Sequence, residues 1–483
     1  MKNQYRFLAR IVIEAVSPLN IGSGEKGIKS DSLILRDVNG LPFIPGTTIA
    51  GLLRHSIIAE RKANETDKDY KKKLEDLRSP LMGSQDNGSP LIITEAKMLD
   101  SYGSALDGII DQRKLDKSFL DYYRELPIRQ HAKIDHRGVT REGGKFDEEI
   151  VLKGTRFCFE MEMLSDSDDD SEFKSFLDEL NSDTFRIGSG SRSGFGEIKI
   201  IDDLCHYKKI NLNAPEDREW YLAKSSSLSD EWQDADPLPS HSENKATEWV
   251  TYELELHPAD FMLFGSGLGN DKADMTYVRE SFVDWSYTPA HLKDRERVVL
   301  IPASSIKGAL SHRVAFHYNK KKNVFADHMT KEEIESHVGK NNKAVKSLFG
   351  SEGEKEGKKM INKQRGNVIM SDIFQDCPPS ANLDCNFSSK VLNHVSIDRF
   401  TGGAIDGALF NEEVLYAKGM TFNLKLMVNN AAIKDDDIRK AFEDALIDIC
   451  TGMLPLGGGV NRGNGCFVDG KLYKNGERIY ADN

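Results

Sequence analysis

The amino-acid sequence predicts two copies of one α+β domain in tandem, and two observations carry that prediction. The first is repetition: Gly22-Ser23-Gly24 followed by Asp31 recurs as Gly265-Ser266-Gly267 followed by Asp274, each aspartate at one offset from the glycines and from a later arginine, Arg36 or Arg279. Similarity at this separation marks a duplicated domain, since solenoid units are only ~20–50 residues long. The second is element order: strand-like and helix-like stretches do not alternate one-to-one, which points to α+β packing rather than a doubly wound sheet. A chain of 483 residues and 54.2 kDa is also too long for one ordinary core.

Taken in order, residues 6–16 alternate polar and apolar, as a half-buried strand does. Residues 47–62 have helical periodicity, with Ile49, Leu52, Leu53, Ile57 and Ile58 on one face and Thr47 or Thr48 as the N-cap. Residues 61–78 are charged and predict an exposed helix, 145–163 alternate again, and 172–180 read as a short helix. A glycine loop and a last strand close the copy between 185 and 201. Residues 206–248 carry Asn, Ser, Pro and Asp with little periodicity and read as a linker. The second copy opens at Trp249 with a strand over 250–256 and has its helix at 304–318. The predicted division is residues 1–205, a linker 206–248, and residues 249–483. A ferredoxin-like or RRM-like core is the natural candidate for each half.

Further motifs recur in register. Leu41-Pro42-Phe43-Ile44-Pro45-Gly46-Thr47-Thr48-Ile49-Ala50-Gly51 returns as Val299-Leu300-Ile301-Pro302-Ala303-Ser304-Ser305-Ile306-Lys307-Gly308. Leu81-Met82-Gly83-Ser84 returns as Leu348-Phe349-Gly350-Ser351, and His131-Ala132-Lys133-Ile134-Asp135 as His394-Val395-Ser396-Ile397-Asp398. The closing loops, Gly188-Ser189-Gly190-Ser191-Arg192-Ser193-Gly194-Phe195-Gly196 and Gly457-Gly458-Gly459-Val460-Asn461-Arg462-Gly463-Asn464-Gly465, align by their glycines with the arginine displaced by one position.

Composition narrows the function classes. With 39% hydrophobic and 29% charged residues the chain is globular, no apolar run approaches a bilayer span, and no secretory hydrophobic region opens it. The cytoplasm is the expected compartment. Six scattered cysteines without a CxxC pair argue against a disulfide framework. Cys377 and Cys385, with His394 nearby, offer part of a zinc site or are ordinary loop and buried cysteines; a fourth ligand is not evident. A net charge of −12 argues against binding nucleic acid by bulk charge, though an acidic body can still carry a basic groove. The acidic tracts at 166–170 and 435–437 read as solvated loops or helix starts.

Three features carry chemistry. A helix N-terminus offers unpaired amides and partial positive charge, so the proline–Thr/Ser helix starts are candidate phosphate sites, built from Thr47, Thr48, Gly51 and Arg54 and from Ser304, Ser305 and Lys307. The closing loops lack the GxxxxGK[ST] pattern of a nucleotide P-loop, but their glycines admit a close backbone and Arg192 and Arg462 offer forked phosphate contacts. Asp31 and Asp274 sit in polar loops after the glycine turns. Beside phosphates, a carboxylate binds a metal, orients an attacking hydroxyl, or faces away. His131 and His394 also match, with a turn-stabilising, base-touching or catalytic role open to each.

At these residues the chain resembles the RAMP (repeat-associated mysterious protein) superfamily, and more narrowly the backbone subunits of type III CRISPR effector complexes. The resemblance rests on the arginine-bearing glycine loops and on the helix start from Ile44 to Arg54; in the second copy Ala303 replaces the glycine and Ser311 the arginine. It implies RRM-like domains that each grip guide RNA, with a β-hairpin thumb at 127–153 and at 391–416 wedged into the guide–target duplex. It implies target-RNA cleavage by the loop aspartates Asp31 and Asp274 with Mg2+ or another divalent metal. An insertion follows Arg279, and Asp271 and Asp284 lie near the second aspartate. RNA contacts are expected from Gly22, Gly24, Gly265 and Gly267 in the turns and from His131, Lys133, Arg137, His394 and Arg399 in the thumbs. Expected partners are guide RNA, complementary target RNA, other RAMP subunits and a large polymerase/cyclase-like subunit, with no membrane. Two rival readings stand beside this one: a non-catalytic RAMP scaffold, and a guide-processing endonuclease, against which the lack of a catalytic histidine pair counts.

Overall fold

The computed structural model describes residues 3–28, 30–59, 65–111, 117–240, 248–293, 298–356, 359–361, 363–376 and 388–481. In the first domain the central strand Tyr5–Ala15 pairs antiparallel with Arg156–Ser165 on one side and with Ile198–Ile200 and His206–Asn211 on the other. Leu91–Ile93 and Ala96–Met98 extend the sheet beyond Arg156–Ser165. The second domain repeats that order with Val368–Met370, Phe422–Asn429, Trp249–Pro258 and Phe467–Lys474, and adds Glu477–Ala481 at its edge.

Helices cover one face of each sheet. Ile49 and Leu53 of Gly46–Ser56 and Phe173, Phe176 and Leu177 of Ser171–Leu180 enter the first core. Ile306, Leu310 and Val314 of Ala303–Lys321 and Phe442, Leu446 and Ile449 of Asp436–Cys450 enter the second. At ~1.5–3 kcal/mol for each large apolar side chain, these stripes dominate the stability of each domain.

The helix start differs from expectation. Pro45 is the N-cap and no side chain caps the helix, so Thr47 and Thr48 lie inside the first turn; Pro302 does the same ahead of Ser304 and Ser305. Gly46 is dictated by crowding, because a Cβ there would sit 2.2 Å from the Ile93 carbonyl oxygen. The helix also ends earlier, at Ser56, leaving Ile58 exposed. The charged stretch is helical from Asp67 to Met82, with Thr66 accepting from the Asp69 amide.

The stretch read as a linker is largely ordered structure. His206–Asn211 is a strand of the first sheet, Pro215–Ala223 is a helix, and Leu8, Ile210 and Trp232 form a small apolar cluster behind the sheet. Arg10 lies 5.0 Å from the Trp232 ring centre. Tyr5–Ala15 is thereby buried on both faces, whereas Trp249–Pro258 keeps the alternation of a strand with one open face.

The insertion after Arg279 joins the domains. Val283 and Ala290 belong to the first domain's core, the Val283 amide donates to Lys153 O at 2.9 Å, and the Ala290 amide to Ser101 O at 2.7 Å. Trp285 Nε1 donates to Gly154 O at 2.7 Å, with the Arg156 guanidinium 4.0 Å from the Trp285 ring centre. Deeper in the joint, Arg129 makes a bidentate pair with Glu280 at 2.7 and 2.6 Å and also bonds Asp372. Burial alone would lower the Arg129 pKa, but Asp372 and Glu280 hold it above its ordinary value. No helix among the described residues is long and apolar enough to cross a membrane.

Candidate nucleic-acid interface

Each domain inserts an antiparallel hairpin between its sheet strands: Ile128–Ile134 with Thr140–Glu149, and Ser388–Ile397 with Ala404–Tyr416. The glycine turns dock on these hairpins in one manner. Gly22 bridges Ile34 as Gly265 bridges Tyr277, and Ser32 runs parallel to Glu148 as Met275 runs parallel to Glu412. The Asp31 amide donates to Asp147 Oδ1 at 2.7 Å; the Asp274 amide donates to Asn411 Oδ1 at 2.7 Å. Asp31 and Asp274 therefore occupy equivalent positions, both exposed. Lys26 lies 3.8 Å from Asp31, whereas Asp274 Oδ2 accepts from the Asn411 amide at 2.9 Å.

Behind each aspartate the hairpin repeats a second constellation. His131 stacks on Phe146 with centroids 4.9 Å apart, and His394 on Phe410 at the same separation. His131 Nε2 lies 3.0 Å from Glu148 and His394 Nε2 3.1 Å from Glu412. Glu149 and Glu413 pair with Arg36 and Arg279 at 3.9 and 2.7 Å. Sequence reasoning found the two histidines but missed the strand facing them, although Phe146-Asp147-Glu148-Glu149 and Phe410-Asn411-Glu412-Glu413 repeat as plainly as the glycine turns.

The glycine loops share a backbone, with left-handed φ at Gly190 and Gly459 (66° and 68°) and at Gly196 and Gly465 (91° and 77°). Their arginines diverge. Arg462 pairs with the buried Glu412 at 2.6 Å and lies 5.7 Å from the Phe410 ring centre. Arg192 points into the other domain, donating to Gly366 O at 2.9 Å and lying 5.8 Å from the Trp249 ring centre. Its Nη1 is buried without an acceptor. Burial first, then Arg365 and Arg186, push the Arg192 pKa down to about 9. Burial and Arg192 lower Lys307 likewise, and among the described residues no carboxylate pairs with Arg192, Lys307 or Arg365. Cations left without counter-ions suit a phosphate.

Other predicted contacts are already engaged. Arg54 holds Glu75 through two 2.8 Å bonds, Lys133 pairs with Glu352 at 2.6 Å, and Arg137 with Asp135 at 2.7 Å. Asp372 takes the Ala303 amide at 2.8 Å, so the helix start beside Ser304 and Ser305 already holds a carboxylate. Gly51 and Gly308 face open space, and Arg399 is exposed at the second hairpin's tip. Gly24 and Gly267 turn with φ of 81° and 80°, and Gly267 lies against Gln130 of the first hairpin. Asp284 belongs to the inter-domain insertion, paired with Lys293 at 3.1 Å, and Asp271 is exposed in the loop before Asp274. Cys377 and Cys385 lie outside the described residues, and among those described no group of three or more His, Cys, Asp or Glu forms a metal cage. The carboxylates of exposed Asp31 and half-buried Asp147 suit a hard cation that keeps its waters and shares substrate oxygens.

No curated protein matches the chain. A family model described as the RAMP superfamily matches residues 12–199 and again residues 286–468, one match for each duplicated half. The chain belongs to the RAMP superfamily, and with it to the CRISPR-associated RNA-binding subunits.

Proposed function

We propose that the chain is a fused double backbone subunit of a type III CRISPR complex, holding guide RNA and cleaving paired target RNA at two positions. The observation that carries this reading is the equivalent seating of Asp31 and Asp274 on their hairpins. The strand order fits two ferredoxin-like cores, and the hairpins fit thumbs, with Ile134 and Val139 exposed on one and Ile397 and Phe400 on the other. The cations Arg192, Lys307 and Arg365, which pair with no carboxylate among the described residues, fit guide phosphates. Base pairing would read the sequence, so few base-specific side chains are needed.

In this mechanism the hairpin and glycine turn hold a target ribose in line with its own phosphate, so positioning supplies much of the rate. Asp31 or Asp274 orients the 2′-hydroxyl and receives its proton. A divalent cation, when bound, would stabilise the charge on the phosphate and leaving oxygen. Assembly would take place in the cytoplasm with other RAMP subunits and a large polymerase/cyclase-like subunit.

The test is a reconstituted complex with guide and labelled complementary RNA, with and without magnesium. Asp31→Ala and Asp274→Ala should each remove one product and leave RNA binding unchanged. Unaltered products from both variants would favour the non-catalytic scaffold; metal-free cutting of a hairpin precursor by the chain alone would favour a processing endonuclease.

A further inference from the structure

The joint between the two domains is head-to-tail: one face of the first domain meets a different face of the second. A chain joined this way keeps one free copy of each face, a receiving face on the first domain and an outgoing face on the second. Such heterologous contacts repeat into open assemblies when the two free faces match. Here their chemistry can be read by equivalence.

The first domain offers four charged residues to the joint. Arg129 grips Glu280 and Asp372, Arg186 pairs with Glu197 at 2.9 Å, Glu197 accepts from Ser371, and Arg192 reaches Gly366 O. The hairpin register and the loop glycines place Leu392, Pro455, Cys466 and Asn461 at the equivalent positions of the second domain. Every one is uncharged. Met453, 65% exposed, and Val460, 40% exposed, sit beside them, so the free outgoing face lacks all four of these charges and is partly apolar, with the neighbouring Arg462 tied to its own Glu412.

The free receiving face kept its acid. Glu95 stands where Asp372 stands, since Ala96 pairs with Ile44 as Ile373 pairs with Ile301. Its side chain is 54% exposed, with Lys97 at 2.6 Å as its one ion partner among the described residues. Asp37 follows Arg36 as Glu280 follows Arg279, although its oxygens already serve its own turn. Ile92 is 48% exposed, whereas its equivalent Ile369 is fully buried.

We propose that this chain does not polymerise with itself, and that the receiving face of its first domain takes a different chain carrying an arginine at the base of its hairpin. The proposal rests on the backbone-subunit reading and names the partner's chemistry. The first domain has only a tight turn where the second has the Phe282–Leu292 insertion, so this contact is smaller and more readily reversed than the internal joint.

The test uses the full chain as its own surrogate partner, by sedimentation velocity without RNA. Wild type should stay monomeric. Leu392→Arg supplies the missing arginine and should strengthen head-to-tail association by roughly tenfold or more, and adding Glu95→Lys should reverse it. Because Leu392 is partly buried, Asn461→Arg on the exposed loop repeats the test. Self-association of wild type, or folded arginine variants that stay monomeric, would overturn the proposal. RNA is absent from the assay, so loss of guide binding or cleavage would count against the functional reading alone.

Discussion

The two domains present one aspartate on one hairpin contact, yet turn their loop arginines in opposite directions. The loop backbones keep left-handed φ at all four matched glycine positions, so the change lies chiefly in which position carries the guanidinium. At 462 it neutralises Glu412 beneath the candidate site; at 192 it crosses to the neighbouring domain. The duplicated halves thus agree where a strand of RNA would be handled and differ where each meets its neighbour. A tight glycine loop makes such a switch easy, because one residue of displacement rotates a side chain without disturbing the fold.

The comparison can be broken most severely at the joint. Arg129→Leu gives the first domain the second domain's residue and leaves Glu280 and Asp372 buried without their cation. A loss of ~3–5 kcal/mol is expected, read by urea unfolding as two separated transitions. A single transition at the wild-type midpoint would mean the triad does not hold the domains.

Next comes Arg462→Ala, which leaves buried Glu412 with His394 as its remaining ion partner among the described residues. The second domain should lose ~1–3 kcal/mol by thermal melting, and cleavage at the second position should fall while the first is spared. Arg192→Ala should instead weaken guide binding. Equal effects from both would erase the distinction between the arginines.

The same cations predict a pH dependence. In the free protein Arg192 is held down to about 9 and Lys307 is lowered too, so an RNA phosphate among them would raise both. Binding then takes up protons where these groups have begun to lose them. Guide affinity should be flat below this range and fall as pH rises through about 9, measured by filter binding at fixed salt. A flat profile through pH 10 would remove these groups from the RNA path.

The smallest effect is expected from Asp147→Asn. Asn411 already makes the same 2.7 Å bond, so stability should change by no more than ~0.5 kcal/mol. Losing a charge should raise the magnesium needed for first-site cleavage toward that of the second. An unchanged magnesium response would show that the two sites do not differ in this respect.

Sequence exposed the duplication and both aspartates because their spacing is local and survives in the chain as a pattern. It failed where the deciding partner lies far away. Arg192 looks like any loop arginine until Gly366 and Trp249 are brought beside it. The insertion after Arg279 packs into another domain's core, so its own periodicity says nothing of its place. The segment 206–240 was misread because a short lysine-bearing strand carries a weak signal. Leu8, Arg10 and Val12 on the second face of the first strand were the available hint that something covers it. The N-cap was displaced because proline, rather than a hydroxyl, sets that turn.

Val283 and Ala290 are made long after the rest of the core they complete. During synthesis, the leading half would emerge from the ribosome with part of its interior unfilled and wait for those residues to arrive. A polypeptide cut short before them would keep that surface open to water and to proteases. Quality control would therefore be expected to clear half-length products, so that chains carrying both domains alone would persist.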